Sequence, residues 1–539
     1  MMGVLRLAIP AIFVLVSAAA APAVDLLPPD LPIEEVVDHY LDVRLAQEGL
    51  RPAPSADDAT LIRRLTLDLN GRIPTTAETG LYVESTEPDK RAKLVDRLMA
   101  SPGFVRHQAD NFEAMLMAGT RGELRAYLGL AFAEDRPWDE VFRDLMLGDE
   151  SGPGRQGAAG FLKARAKDLD RLTSDVSSVF FGVDVSCAKC HDHPKVDDWK
   201  QDHYYGMKSF LDRTVEVGKF VGEREYGSVK FETTDGEEKR AKFMFLTGRV
   251  VEMAGAEEPS KEAKQEEKRR LDEAKKKKEA PPAPKVSARA KLVELALEPG
   301  ERDFFARSIA NRLWDRFLGV GLVIPLDQMH SENPPSHPDL LAWLARDTIE
   351  HRYDLRRLIR GLVLSQAYAR VSLWESAEAP DRRLFAAAAV RPLTPLQLSA
   401  SMWVATTDPA ALPDDPTRDE HAKKVEDLSG RGRTLASAFA RPGEDYQIGV
   451  SEALLMSNSD RLKELLADGN DRLVGRLAKI ADRRERIDLA VRSILSRPAD
   501  DDEISLLGEF LARHEDRPVE GCRQLVWALL TGAEFRFNH

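Results

Sequence analysis

Two cysteines and one histidine have the residue types and the spacing to do chemistry in this chain. They form the run Cys187-Ala188-Lys189-Cys190-His191, and the 539 residues include only three cysteines. Two thiols one short turn apart can form thioethers with the two vinyl groups of one porphyrin, while the next imidazole binds the iron. The spacing therefore predicts covalent attachment of haem c through Cys187 and Cys190, with His191 as the proximal ligand.

The residues that follow supply candidates for a sixth iron ligand. His193, His203 and Met207 come shortly after His191. His193 is too close to His191 along the chain to reach the opposite face of a porphyrin, so His203 and Met207 are better placed. Met207 lies in an apolar and aromatic stretch, where packing is a competing role. An open sixth position is the remaining possibility.

The same cluster is also compatible with zinc. Cys187 and Cys190 would give the thiolate half of a tetrahedral site, and His193 together with His191 or His203 would complete a Cys₂His₂ set. A redox dithiol or a simple disulfide is a third interpretation. A thioredoxin-like dithiol would need a strand-helix-strand setting, which the helical pattern around the cysteines does not provide.

The N-terminus predicts export. Arg6 is the only early charge, residues 7–21 are apolar or small, and Ala21-Pro22-Ala23 has the small-x-small form of a cleavage site. We therefore expect residues 1–23 to be a signal peptide and the protein to reach the periplasm or the cell surface. No later stretch is long and apolar enough to span a membrane, so no transmembrane segment is expected after cleavage.

Net charge argues against one class of partner. The formal net charge is −13, and no cluster of uncompensated Lys and Arg is visible, whereas phosphate contacts require one. We therefore expect no nucleic-acid partner. The leftover Cys522 lies in an apparently helical, apolar segment, which is typical of a buried small hydrophobic residue.

The hydrophobic pattern places these residues in a mainly α fold with two helical lobes, a small antiparallel β insertion and a charged flexible linker. Helical periodicity predicts one domain over residues 31–210, carrying the cysteine motif, and another over 289–539. Alternating residues over 211–253 predict the β insertion. Residues 254–288 combine balanced Lys and Glu with a Pro-rich end, which predicts the linker.

A second histidine motif precedes an apolar helical run. Ser336-His337-Pro338-Asp339 has the form of a capping box, with Ser336 at the N-cap and an acid three residues later. This predicts a structural role for the segment, while His337 as a binding-site residue is the alternative.

Several motifs together resemble one family. Residues 181–183, the run Cys187–Pro194 and residues 204–206 are similar to the cytochrome-associated domain of unknown function of secreted planctomycete proteins. Residues 311–314, 317–319 and 333–338 resemble the planctomycete-specific domain that usually follows it. The resemblance implies frequent association with cytochrome c-like domains, and it implies no particular reaction.

These observations predict an exported protein that binds haem c covalently for electron transfer with a redox partner in the periplasm or at the cell surface. The alternative is a secreted, zinc-stabilised binding or scaffold protein, or an enzyme acting on extracellular polymers, without haem. No nucleophile elbow, phosphate loop or paired glycosidase carboxylates can be recognised in the sequence.

Overall fold

Helices make up most of the part of the chain that the structure describes. The computed structural model describes residues 26–118, 120, 123–193, 196–255, 257–376, 378–439 and 459–539. The expected signal peptide, residues 1–23, lies outside these residues. In the described ranges, no helix has both the length and the apolar composition needed to cross a membrane. The mainly α fold expected from the sequence is confirmed.

The N-terminal part is helical, as its periodicity predicts. Local signals set the helix ends: the Asp57 side chain accepts from the Thr60 N–H at the start of the second helix, and Gly71, at a φ of 71°, ends it. The helices are Ile33–Gln47, Asp58–Asn70, Thr76–Glu84, Lys90–Ala100, Pro102–Met117, Arg125–Ala133, Trp138–Leu147, Gly160–Lys163, Leu169–Phe181 and Gln201–Leu211.

The β insertion consists of three small antiparallel pairs. Thr214–Val217 pairs with Phe220–Glu223, Lys230–Glu232 with Glu238–Arg240, and Phe243–Met244 with Val250–Val251. Thr233 and Gly236 lie in the turn of the second pair, with Gly236 at a φ of 81°. The expected antiparallel insertion is thus present as three separate hairpins.

The charged segment 254–288 contains a helix, Lys261–Lys277, which the sequence pattern does not predict. Ser260 caps its N-terminus, and Arg269 forms ion pairs with Glu266 and Glu273 along its surface. Ala274 is the only residue of this helix that is buried. The segment expected as a flexible linker therefore contains a helix that adds little apolar surface to a core.

The remaining described helices follow this segment. They are Ala288–Leu297, Asp303–Leu318, Pro338–Glu350, Leu355–Leu364, Gln366–Ala369, Pro395–Ala405, Asp419–Ala436, Asp460–Leu465, Leu473–Lys479, Arg483–Leu495, Asp501–Ala512, Pro518–Thr531 and Ala533–Arg536. A short pair, Arg391–Pro392 with Phe537–Asn538, joins the middle of the chain to its end.

Two hydrophobic cores organise these helices. The first runs from Ile33 to Phe385 and combines helices from both sides of the charged segment. The second contains Leu67 and Ile73 together with residues between Leu393 and Phe535. The division between cores therefore falls between Phe385 and Leu393, whereas the sequence places the domain boundary in the charged segment.

The Asp58–Asn70 helix connects the two cores through buried polar groups. Asp68, only 4% exposed, accepts hydrogen bonds from Tyr368 Oη at 2.8 Å, Arg391 Nη2 at 2.7 Å and Asn538 Nδ2 at 2.9 Å. Arg63 donates to the carbonyl of Phe535 at 3.1 Å. A buried carboxylate with this many donors ties three distant chain segments to one helix.

The sequence predicts Ser336 as the N-cap of a helix, and this prediction is wrong because the N-cap lies one residue later. The N-cap of Pro338–Glu350 is His337, with no side-chain cap hydrogen bond, and Pro338 occupies the first helical turn. Ser336 Oγ instead contacts His337 Nδ1 at 3.1 Å. His337 is 5% exposed and packs against Phe385, so the segment is structural through the histidine ring.

Candidate functional site

The cysteine motif lies in the connection between the helices Leu169–Phe181 and Gln201–Leu211. Gly182, at a φ of 67°, ends the first helix, and a Cβ there would lie 2.8 Å from Met329 Sδ. The Asp184 N–H donates to the Asp327 carbonyl at 2.7 Å, next to a β-bridge between Val183 and Gln328. The connection therefore starts from a point fixed by the C-terminal half of the chain.

The two motif cysteines sit on one 3₁₀ turn, Ser186–Lys189, and the residue that follows it. Val185 and Ala188 are fully buried and anchor this turn in the first core. Cys187 and Cys190 are exposed free thiols. The turn thus presents both sulfurs to solvent from a fixed base, whereas the third cysteine, Cys522, is buried, and burial raises the pKa of its thiol.

The His191 ring is exposed beside the thiols and is oriented by its own loop. Its Nδ1 lies 2.7 Å from the Asp192 carbonyl oxygen. Because a carbonyl can only accept, Nδ1 carries the proton in this hydrogen bond, and in the neutral ring the lone pair is left on Nε2. This tautomer is the one that a histidine uses to bind a metal through Nε2.

Asp170 holds the turn from the preceding helix. Its carboxylate accepts hydrogen bonds from Lys189 Nζ at 2.8 Å, Lys208 Nζ at 2.6 Å and Tyr204 Oη at 2.7 Å. Burial opposes ionisation of Asp170, but these three donors outweigh it and hold its pKa below the ordinary value. The charge on Asp170 therefore joins the 3₁₀ turn to the helix Gln201–Leu211.

The β insertion supports the same turn. Tyr205 Oη donates to the Lys189 carbonyl at 3.0 Å. The Tyr205 ring stacks on Phe231, with centroids 4.1 Å apart and an interplanar angle of 10°. The insertion thus fixes the carbonyl of the residue just before Cys190.

The candidate sixth ligands lie in different environments in the structure. Met207 is 0% exposed and belongs to the first core, so it packs as an apolar residue here. His203 Nδ1 accepts from the Lys200 N–H at 3.1 Å, which leaves the proton on Nε2. Burial lowers the pKa of His203. His193 is half-buried, and its backbone N–H donates to the Trp199 carbonyl.

The five candidate zinc ligands do not converge in this conformation: Cys187, Cys190, His191, His193 and His203. Within the described ranges, no group of three or more His, Cys, Asp or Glu side chains lies in a position to hold a metal ion. A Cys₂His₂ site built on Cys187 and Cys190 would require the loop that carries His191 and His193 to rearrange. Zinc therefore stays a prediction from the sequence.

A pocket of about 530 Å³ lies near this connection and was not foreseen from the sequence. Its lining includes Trp199, His203, Phe304, Arg307 and His330. These residues come from segments about a hundred positions apart in the chain, so no local pattern relates them. The one available signal was the Asn333-Pro334-Pro335 run, which also lines the pocket.

Comparison with known proteins identifies two family models. Residues 36–216 match PSCyt2, a protein of unknown function (DUF1549), and residues 288–442 match PSD1, a protein of unknown function (DUF1553). The first match contains the complete cysteine motif, and the second begins at the helix that follows the charged segment. No curated protein and no solved structure gives a significant match. The chain therefore belongs to the proteins that pair these two domains of unknown function.

Proposed function

We propose that Cys187, Cys190 and His191 hold a covalently attached haem c and that the protein transfers electrons. The observation that carries the proposal is the presentation of two free, exposed thiols on one 3₁₀ turn, directly before an imidazole whose Nδ1 is bound to a carbonyl. Thioether formation requires accessible thiols, and iron ligation requires a free imidazole nitrogen. The donor set therefore fits the group.

Each residue has a distinct task in this proposal. Cys187 and Cys190 would keep the cofactor from dissociating, and His191 Nε2 would be the proximal ligand. Haem, when bound, supplies one-electron transfer between its ferric and ferrous states. The Asp192 carbonyl accepts the Nδ1 proton of His191, which orients the ring and leaves Nε2 free to bind iron.

The position of the turn suits exchange with a protein partner. The cysteines and His191 are exposed at the surface, so a redox partner can approach the site without a change in the fold. Because Met207 is packed in the core, the residues that would hold the group in this conformation are Cys187, Cys190 and His191.

Export belongs to the same proposal, because the redox partner is expected in the periplasm or at the cell surface. The N-terminal pattern over residues 1–23 supports it. N-terminal sequencing of protein from the native envelope fraction tests it: a start near Val24 supports export with cleavage, whereas recovery of intact Met1 contradicts it.

The spectrum of the denatured protein tests haem attachment. Protein made with a working cytochrome c maturation system should give a pyridine haemochrome after denaturation. The double variant Cys187→Ala, Cys190→Ala should lose this signal, and His191→Ala should change the spectrum of the native iron. Cys522→Ala is the matched control, because it removes a buried cysteine outside the motif and should leave the signal unchanged.

Two other results would each contradict the proposal. Colourless protein with about one zinc per chain, lost in Cys190→Ala and His193→Ala, would favour the Cys₂His₂ interpretation. Colourless, zinc-free protein in which Cys187 and Cys190 cycle between thiol and disulfide would favour a redox dithiol.

A further inference from the structure

Lysines from two elements form a positively charged patch at the C-terminal end of the helix Lys261–Lys277. Lys275–Lys278 close this helix, and Lys219 lies in the turn of the first β pair. A Cβ built on Gly218 would lie 3.9 Å from Lys275 Cγ, so this turn contacts the helix end. Lys219 and Lys275–Lys278 are called the lysine patch below.

The charge of the lysine patch is not compensated by its surroundings. The lysines of the patch are all exposed, and within the described residues none of them forms an ion pair. Glu216 and Glu273, the acids of the adjoining strand and helix, already pair with cations outside the patch at 3.4 Å and 3.0 Å. Asp272 and Glu279 flank the patch, which leaves a formal charge of +3 for the five lysines and these two acids. The balanced composition of the charged segment conceals this local excess.

The lysine patch has a fixed position on the protein surface. Before the patch, the Glu225 N–H donates to Glu267 Oε1 at 2.6 Å, and Ala274 is buried. After the patch, a Cβ built on Gly222 would lie 2.5 Å from Pro281 Cγ, so the chain packs on the first β pair there. The helix end is therefore held on both sides of the lysines.

Stabilisation of the helix accounts for only part of the lysine patch. Cations in the last turn complement the helix dipole, and this effect is confined to that turn. Lys219 belongs to a different element, and it adds a like charge beside the helix end. Like charges held close together repel each other until an anion approaches them. The patch therefore fits an anionic partner.

A flat anionic surface matches the patch better than a groove-bound polymer or an apolar protein surface. Every residue from 275 to 280 is exposed, so the lysines cover a helix end, whereas a linear polyanion is usually held in a charged groove. The described residues 214–223 and 261–281 include no exposed large apolar side chain. Clusters of about four to eight Lys or Arg are typical of proteins that bind anionic lipids.

The acidic character of the whole chain does not prevent this contact. The formal net charge is −13, but charges more than about 8 Å away are largely screened at physiological salt. The lysine patch therefore acts on a nearby surface through its own local charge.

We propose that the lysine patch binds the anionic headgroups of a lipid bilayer and holds the protein at a membrane surface. The ammonium groups contact headgroup phosphates, and the chain stays outside the hydrocarbon region because the patch exposes no large apolar side chain. This contact is independent of the cysteine motif and of haem.

Co-sedimentation of the processed protein with lipid vesicles tests the proposal. One set of vesicles contains phosphatidylcholine with about 30% phosphatidylglycerol, and the other contains phosphatidylcholine alone. At about 0.1 M salt, we expect partitioning onto the anionic vesicles to be at least about tenfold stronger than onto the neutral ones. About 0.5 M salt should release the protein, because salt shortens the range of the attraction.

Two variants of equal charge locate the contact. The first replaces the helix end, with Lys275→Gln, Lys276→Gln, Lys277→Gln and Lys278→Gln, and should lose at least about tenfold in partitioning onto the anionic vesicles. The control carries Lys261→Gln, Lys264→Gln, Lys268→Gln and Arg270→Gln, which remove the same charge from the part of the helix where cations alternate with acids. The control should bind as the wild type does. Gln is a good helix former, and circular dichroism checks that both variants keep their helix content.

Equal losses in the two variants, or equal partitioning onto anionic and neutral vesicles, would overturn the proposal. So would the absence of binding to the anionic vesicles at about 0.1 M salt. Binding of dextran sulfate through the same lysines, with the vesicles left free, would also overturn it and would assign the patch to an acidic polymer.

Discussion

His337 should make the stability of the first core depend on pH. Burial, followed by the charge of Arg44, lowers the pKa of His337 from 6.5 to about 4. The unfolded chain therefore binds a proton on His337 at a higher pH than the folded chain does. Protonation of His337 therefore favours unfolding. The stability that the fold gains by keeping the ring neutral is complete above pH 6.5 and is lost as the pH falls toward 4.

The size of this effect follows from the two pKa values. Their difference corresponds to about 3 kcal/mol of unfolding free energy once the pH is below both. When the pH falls from 7.5 to 5, proton binding by His337 alone should lower the free energy of unfolding by about 2 kcal/mol. The conversion is appropriate here because the ring is 5% exposed and is little screened by solvent.

The variant His337→Asn isolates this effect. Asn is a good N-cap residue and does not titrate, so the variant should lose about 2 kcal/mol less stability than the wild type between pH 7.5 and pH 5. The assay is urea unfolding followed by the fluorescence of the buried tryptophans of the same core, Trp138, Trp314 and Trp343. His39→Asn, at an exposed ring, is the control and should parallel the wild type.

Equal losses of stability in the wild type and in His337→Asn over this pH range would refute the reasoning. That result would mean that His337 is not held neutral by burial. It would also reopen the alternative that the histidine serves a binding site.

Three further predictions concern the junction, the thiols and the charged segment. Asp68→Ala should lower the free energy of unfolding by about 3–5 kcal/mol, because it removes the buried carboxylate that accepts from Tyr368, Arg391 and Asn538. Asp96→Ala breaks the exposed pair with Arg360 and should cost less than about 1 kcal/mol in the same urea assay. Ellman's reagent should label two of the three cysteines in native haem-free protein and the third only after unfolding; labelling of Cys522 in the native state would contradict its burial. Trypsin should cut first within 254–288, where lysines are exposed along the helix. The early fragments are identified by mass spectrometry, and fragments that end inside 304–364 would contradict this prediction.

The local features of the site could be predicted from the sequence because they depend on neighbouring residues. The spacing of Cys187 and Cys190 required a short turn, and the structure has a 3₁₀ turn at that position. The alternating residues over 211–253 predicted an antiparallel β insertion, and the structure has two-stranded antiparallel pairs there. In each case, the signal and the structure lie within a few residues of each other.

The remaining features depend on contacts that the sequence does not display. The helix Lys261–Lys277 has no apolar face, so periodicity could not reveal it, and its stabilising groups are a cap and surface ion pairs. Asp68 resembles any helical acid until Tyr368, Arg391 and Asn538 are folded around it. The pocket at Trp199 and Phe304 likewise exists only after the two domains pack together.

The intact mass of the denatured, purified protein tests the central claim most directly. After production with cytochrome c maturation, we expect a gain of one haem group over the mass of the processed chain. Peptide mapping should place it on the segment that contains Cys187 and Cys190. A mass equal to that of the bare chain, from cells in which a control c-type cytochrome is fully matured, would contradict the assignment of this turn as a haem attachment site.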